Sequence, residues 1–122
     1  MGLNIMPGDA KWSYFGYMEF RERLAKEIGI NLAEMEGFEI LGKHKGVETG
    51  KSWEEVKDDI KILLVHCDCD GIMKPKECAK VLPRLKELTS SWEDSDYDKQ
   101  QAIKLINGME ECIKKKINLE FI

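Results

Sequence analysis

The run His66-Cys67-Asp68-Cys69-Asp70-Gly71-Ile72-Met73-Lys74-Pro75-Lys76-Glu77 restricts the folds open to this chain more than any other stretch. It separates two segments of helical apolar spacing and has the register of a calcium loop. With Gly71 at the sharp-turn position 6 of a twelve-residue EF-hand loop, Asp68 and Asp70 fall on ligand positions 3 and 5. The carbonyl of Ile72 takes position 7, and Glu77 takes the bidentate position 12. His66 stands at position 1, where an aspartate is usual, and Lys74 and Lys76 bring positive charge to a site meant for a cation. The residues therefore suit a loop that joins two helices and is kept for its shape. The alternative is a calcium site built from Asp68, Asp70, Ile72 and Glu77, with His66 offering nitrogen where oxygen is preferred. Beyond calcium no cofactor is expected.

The flanking segments predict helices. Ser52-Trp53-Glu54-Glu55 reads as a capping box, and Trp53, Val56, Ile60, Leu63 and Leu64 then recur at helical spacing up to His66. Pro75 suits the first turn of the next helix, whose face is Cys78, Val81, Leu82, Leu85 and Leu88. Pro83 inside it predicts a kink or a break. Upstream, Ser13 caps a helix over residues 14–27 with Tyr17, Phe20, Leu24 and Ile28 inward and Tyr14, Met18 and Ala25 widening the stripe. Asn31 and Glu34 open a short second helix that ends at Gly37, residues 38–41 can extend, and residues 42–51 form a loop. Downstream, Ser95 with Asp98 caps a long helix to about Lys116, with Ala102, Leu105, Ile106, Met109 and Ile113 inward. Gly108 weakens that helix by about 1 kcal/mol relative to alanine. Residues 118–122 alternate and can form a short strand, the available partner for Met73 at loop position 8. The expected architecture is mainly α: a single domain over residues 1–122, a bundle of about five helices with one EF-hand-like helix-loop-helix.

At 122 residues the chain can bury one core, and 43% hydrophobic with 34% charged residues suits a compact domain. A net charge of −4 with both signs interspersed leaves no basic stripe, so neither nucleic acid nor a membrane surface is an expected partner. The start of the chain lacks the pattern of a signal peptide, and no apolar run of about eighteen residues occurs. A cytoplasmic setting is expected, in which Cys67, Cys69, Cys78 and Cys112 stay reduced. Cys78 and Cys112 fall on apolar helix faces and read as core.

Three other chemistries are suggested and set aside. A zinc-like site from His66, Cys67, Cys69 and Cys78 would need ligand pairs two to four residues apart, whereas one residue separates Cys67 from Cys69. Ile62-Leu63-Leu64-Val65 before Asp68-x-Asp70-Gly71 looks like the strand-then-DxDG entrance of haloacid-dehalogenase-like phosphatases or of DHH-type phosphoesterases. Asp68 would then be nucleophile or metal ligand and Asp70 acid/base or second ligand. Both groups need a parallel α/β sheet, and the flanks here read as helices. Gly46-Val47-Glu48-Thr49-Gly50-Lys51-Ser52 imitates a phosphate loop but has three residues between its glycines where four are required.

Trp12-Ser13-Tyr14, Phe20-Arg21-Glu22-Arg23-Leu24, His66-x-Asp68-Cys69-Asp70-Gly71, Glu77-Cys78, Pro83-Arg84-Leu85, Tyr97-Asp98 and Gly108-Met109 together resemble a group of small uncharacterised bacterial proteins. The resemblance spans most of the chain and implies one continuous domain in which the histidine before Asp68 is part of the pattern. It implies no activity. With two histidines and no complete catalytic constellation, the chain is expected not to be an enzyme but an accessory protein that binds an unidentified protein partner. Immunity-type proteins that neutralise a toxin share this size and acidity. The residues specify neither the partner nor an oligomeric state.

Overall fold

The computed structural model describes residues 2–36, 51–66 and 71–122. Its N-terminus is a hairpin. Leu3 and Ile5 of β1 (Gly2–Met6) and Ala10 and Trp12 of β2 (Ala10–Ser13) are buried, while their neighbours turn outward with period 2. Pro7, Gly8 and Asp9 make the turn, with Gly8 and Asp9 at φ 100° and 60°. The register sets Leu3 opposite Trp12 and Ile5 opposite Ala10. The C-terminal segment forms β4 (Leu119–Phe121), which pairs with β1 on one side and with β3 (Gly71–Met73) on the other. Met73 lies opposite Leu119, the pairing anticipated from loop position 8. The four strands are antiparallel in the order β2-β1-β4-β3.

This sheet overturns the mainly α, all-helical expectation: the fold is mixed, with helices laid on an antiparallel sheet. The reason is local. Leu3, Ile5, Ala10 and Trp12 carry a two-residue period on either side of a Pro-Gly-Asp turn, a pattern that a helix stripe cannot use.

The helices are α1 (Tyr14–Glu27), α2 (Lys61–Leu64), α3 (Pro75–Thr89) and α4 (Tyr97–Lys115). Ser13 caps α1 as its sequence requires, its Oγ accepting from the Gly16 amide at 2.9 Å. The expected helix from Trp53 to Leu64 does not form in one piece. Ser52 caps only a 3-10 turn, Trp53–Glu55, after which Val56 is extended. Asp58 then makes the turn that leads into α2, its Oδ1 accepting from the Ile60 amide at 3.0 Å and its carbonyl from the Lys61 amide at 3.1 Å. A new turn so soon after the first divides the segment. Asn31 likewise caps a 3-10 turn, Leu32–Glu34, rather than an α-helix. The cap of α4 is Asp96, not Ser95: Asp96 Oδ1 takes the amides of Asp98 (2.9 Å) and Lys99 (3.4 Å). Helix α3 runs through Pro83 without ending. Pro83 and Ala79 both face solvent, so the carbonyl that the proline leaves unbonded can reach water. The extended piece expected at 38–41 and most of the loop expected at 42–51 lie outside the described residues.

Among the described residues the helices pack on one face of the sheet. Leu3, Ile5, Trp12, Met73, Leu119 and Phe121 present a buried layer that joins Tyr17, Phe20 and Leu24 of α1 and Ala102, Leu105, Met109 and Cys112 of α4 in one core. Helix α3 packs along α4 through Cys78, Val81 and Leu85. Gly108 has a specific task in this arrangement. A Cβ there would overlap the Pro7 carbonyl oxygen, so the hairpin turn rests directly on the backbone of α4. The glycine is a close approach, not merely a weak point.

Candidate functional site

His66 follows α2 and folds back on the sheet. Its Nε2 donates to the Ile72 carbonyl at 2.7 Å, so Nε2 carries a proton, and its ring stacks on Phe121 with centroids 4.0 Å apart at 23°. From α1 the buried Arg21 sends Nη1 to the carbonyls of Leu64 (3.3 Å) and His66 (3.1 Å). A cation thus satisfies the acceptor groups that end α2. Glu77 stands three residues into the start of α3, its Oε1 accepting from the Lys74 amide at 3.0 Å.

The structure therefore brings His66 and Ile72 together and holds Glu77 at a helix start. Asp68 and Asp70 lie outside the described residues, as do Cys67 and Cys69. Among the described residues no three His, Cys, Asp or Glu side chains gather as a metal-holding group. Cys78 turns into the core beside Cys112. Burial, with the neighbouring Cys112 thiol, pushes the Cys78 thiol up to about 12, which disfavours the thiolate a metal would need. Residues 61–64 are helical rather than the buried strand that a DxDG phosphatase entrance requires, and the sheet is antiparallel. Ser52 acts as a cap, its Oγ accepting from the Glu54 amide at 3.1 Å, as its sequence context suggested.

A second concentration of functional groups lies where β2 runs into α1 and α4 begins. The Trp12 indole Nε1 donates to Asp98 Oδ1 at 3.0 Å, and the Tyr97 hydroxyl donates to the Lys11 carbonyl at 2.6 Å. Gln101 Oε1 accepts from the Lys11 amide at 2.8 Å. Arg23 Nη1 binds Asp96 Oδ2 at 2.7 Å and reaches Asp98 Oδ2 at 3.4 Å, while its guanidinium lies 3.7 Å from the Trp92 ring centroid. The guanidinium holds the Asp96 carboxyl below the usual carboxylate range. Below this network Trp12 stacks on Phe20 at 4.5 Å and 27° and tilts against Tyr17 at 5.3 Å. Such pairs add about 0.5–1.5 kcal/mol each beyond burial, so the floor of the corner is fixed.

Above that floor is a cleft of about 460 Å³ lined by Trp12, Ser13, Gly16, Glu19, Tyr97 and Asp98. Three aromatic side chains at these two helix starts face solvent: Phe15 is 77% exposed, Tyr97 51% and Tyr14 38%. Tyr14 does not join the buried stripe of α1 that its spacing suggests, because it occupies the first helical position, where the chain has just left the sheet edge. In the sequence Trp12-Ser13-Tyr14 and Tyr97-Asp98 stand out only as parts of a resemblance. The usable signal is that Phe15 and Tyr97 fall off the apolar faces of their helices.

Comparison with known proteins finds no matching family model, no matching curated protein and no matching solved structure. Among the described residues, no helix is long and apolar enough to cross a membrane.

Proposed function

We propose that this protein is a non-catalytic, cytoplasmic binding protein that recognises a protein partner through the aromatic corner formed by the starts of α1 and α4. The observation that carries the reading is the exposure of Phe15, at 77%, together with that of Tyr14 and Tyr97, at two helix starts joined through a fixed aromatic and charged network. Aromatic side chains held on rigid elements are what interface centres are built from, since they supply contact area with little conformational entropy to lose. In this reading His66 on Ile72 and Glu77 on Lys74 have a structural part, holding the end of α2 to β3 and closing the start of α3. Cys78 and Cys112 remain buried thiols in a reducing compartment.

Photo-crosslinking tests the surface even while the partner is unidentified. Phe15→p-benzoylphenylalanine keeps an aromatic side chain at the corner and should yield a discrete protein adduct in cells. The same replacement at Ile72, which is exposed on the far side of the sheet, should not. Adducts formed from position 72 and not from position 15 would move the recognition surface elsewhere.

A further inference from the structure

The cleft between the two helix starts, lined by Trp12, Glu19, Tyr97 and Asp98, has a chemistry of its own. We infer that it receives the basic side chain, lysine or arginine, of the partner polypeptide, with the charged head between Glu19, Asp98 and the ring of Tyr97. The inference rests on the corner being a recognition surface and specifies what that surface reads. Of the six lining residues two are carboxylates and two are aromatic, and among the described residues no lysine or arginine lines the cleft.

The positive groups nearby are already committed. Arg23 sits closer to Asp96 than to Asp98, at 2.7 against 3.4 Å, and stacks on Trp92. The Lys11 ammonium pairs with Asp9 at 3.4 Å, and the Lys99 ammonium donates to the Thr89 carbonyl at 2.8 Å. Glu19 is exposed and has no ion pair among the described residues. The two helix starts that flank the cleft hold less attraction for an anion than bare starts would. Ser13 Oγ occupies the Gly16 amide, and Asp96 Oδ1 occupies those of Asp98 and Lys99. What remains is negative charge beside the exposed ring of Tyr97, the combination that attracts an ammonium or guanidinium head. A volume of about 460 Å³ accommodates one long side chain together with part of its backbone.

The test is an NMR titration of the whole protein with Nα-acetyl-arginine amide and Nα-acetyl-lysine amide, with the citrulline analogue and inorganic phosphate as controls. The basic probes should shift the Trp12 indole N–H and the Gly16 amide saturably, and citrulline should not. Glu19→Gln should weaken the effect about three- to fivefold. Tyr97→Phe, which keeps the ring but loses the bond to Lys11, should still bind, whereas Tyr97→Leu should not. The dispersed spectrum of each variant reports that it remains folded. Equal shifts with citrulline, shifts with phosphate alone, or no shift with either basic probe would overturn the inference. If crosslinking at Phe15 persists after such a result, only the choice of a basic side chain has failed; if that crosslink is also missing, the recognition surface itself has failed.

Discussion

Glu77 is the residue on which the two accounts of the 66–77 segment part. With Oε1 on the Lys74 amide it closes the first turn of α3. Glu77→Ala should cost about 1 kcal/mol in urea unfolding, and Glu77→Gln, which keeps an acceptor oxygen, should cost less. On this account millimolar calcium leaves the Tm of the protein unchanged. A rise in Tm that Glu77→Gln abolishes would favour the ion-binding account. Asp58 gives a second prediction. Arg84 grips it through Nε (3.0 and 3.1 Å) and Nη2 (2.6 Å), and this holds the Asp58 carboxyl below its ordinary range. A carboxylate whose folded-state value lies below its unfolded value stabilises the fold above the unfolded value, about 4. It loses that contribution as pH falls through the folded-state value. Stability should therefore decline with acid below pH of about 4, and Asp58→Asn should be less stable at neutral pH with a shallower acid limb. Parallel acid limbs in the two proteins would contradict the role given to the pair.

Both edges of the sheet are blunted by side chains from outside it. On the β2 edge Gln101 and Tyr97 of α4 take the amide and carbonyl of Lys11, and on the β3 edge His66 takes the carbonyl of Ile72. An edge with its polar groups occupied is a poor template for another strand. Gln101→Ala should lose about 1 kcal/mol and speed hydrogen exchange at the Lys11 amide. Gly108→Ala offers a sharper test. In an exposed helix interior the change gains about 1 kcal/mol, but here the new methyl meets the Pro7 carbonyl, so the sign should reverse to a loss of about 1–3 kcal/mol by calorimetry or urea unfolding. Caps and apolar stripes made α1, α3 and α4 legible in the sequence, and loop position 8 pointed to the pairing of β3 with β4. The helix expected at 53–64 failed because spacing alone does not reveal that Asp58 will be pinned by Arg84, 26 residues away, and begin a new turn. The hairpin went unread because its four inward residues are too few to stand out beside long helical stripes, although the Pro-Gly-Asp turn marked it.

At the scale of the molecule, helices cover one sheet face and brace the corner where α1 and α4 begin, so the exposed aromatics stand on elements tied by hydrogen bonds and ion pairs. Trp12, Arg23, Asp96 and Asp98 come from segments up to 86 residues apart in the chain, and their meeting is a tertiary fact that no local pattern announces. The acidic loop, by contrast, was conspicuous in the sequence because its residues are contiguous. The proposed role of the protein is to hold a partner at this corner, not chemistry or an ion at residues 66–77. Quantitative native co-purification tests it most directly, comparing the unaltered chain with Phe15→Ser and with the double variant Asp68→Asn, Asp70→Asn. A partner should be retained by the unaltered chain and by the double variant alike, and lost from Phe15→Ser, which should remain folded. Retention by Phe15→Ser with loss from the double variant would contradict it.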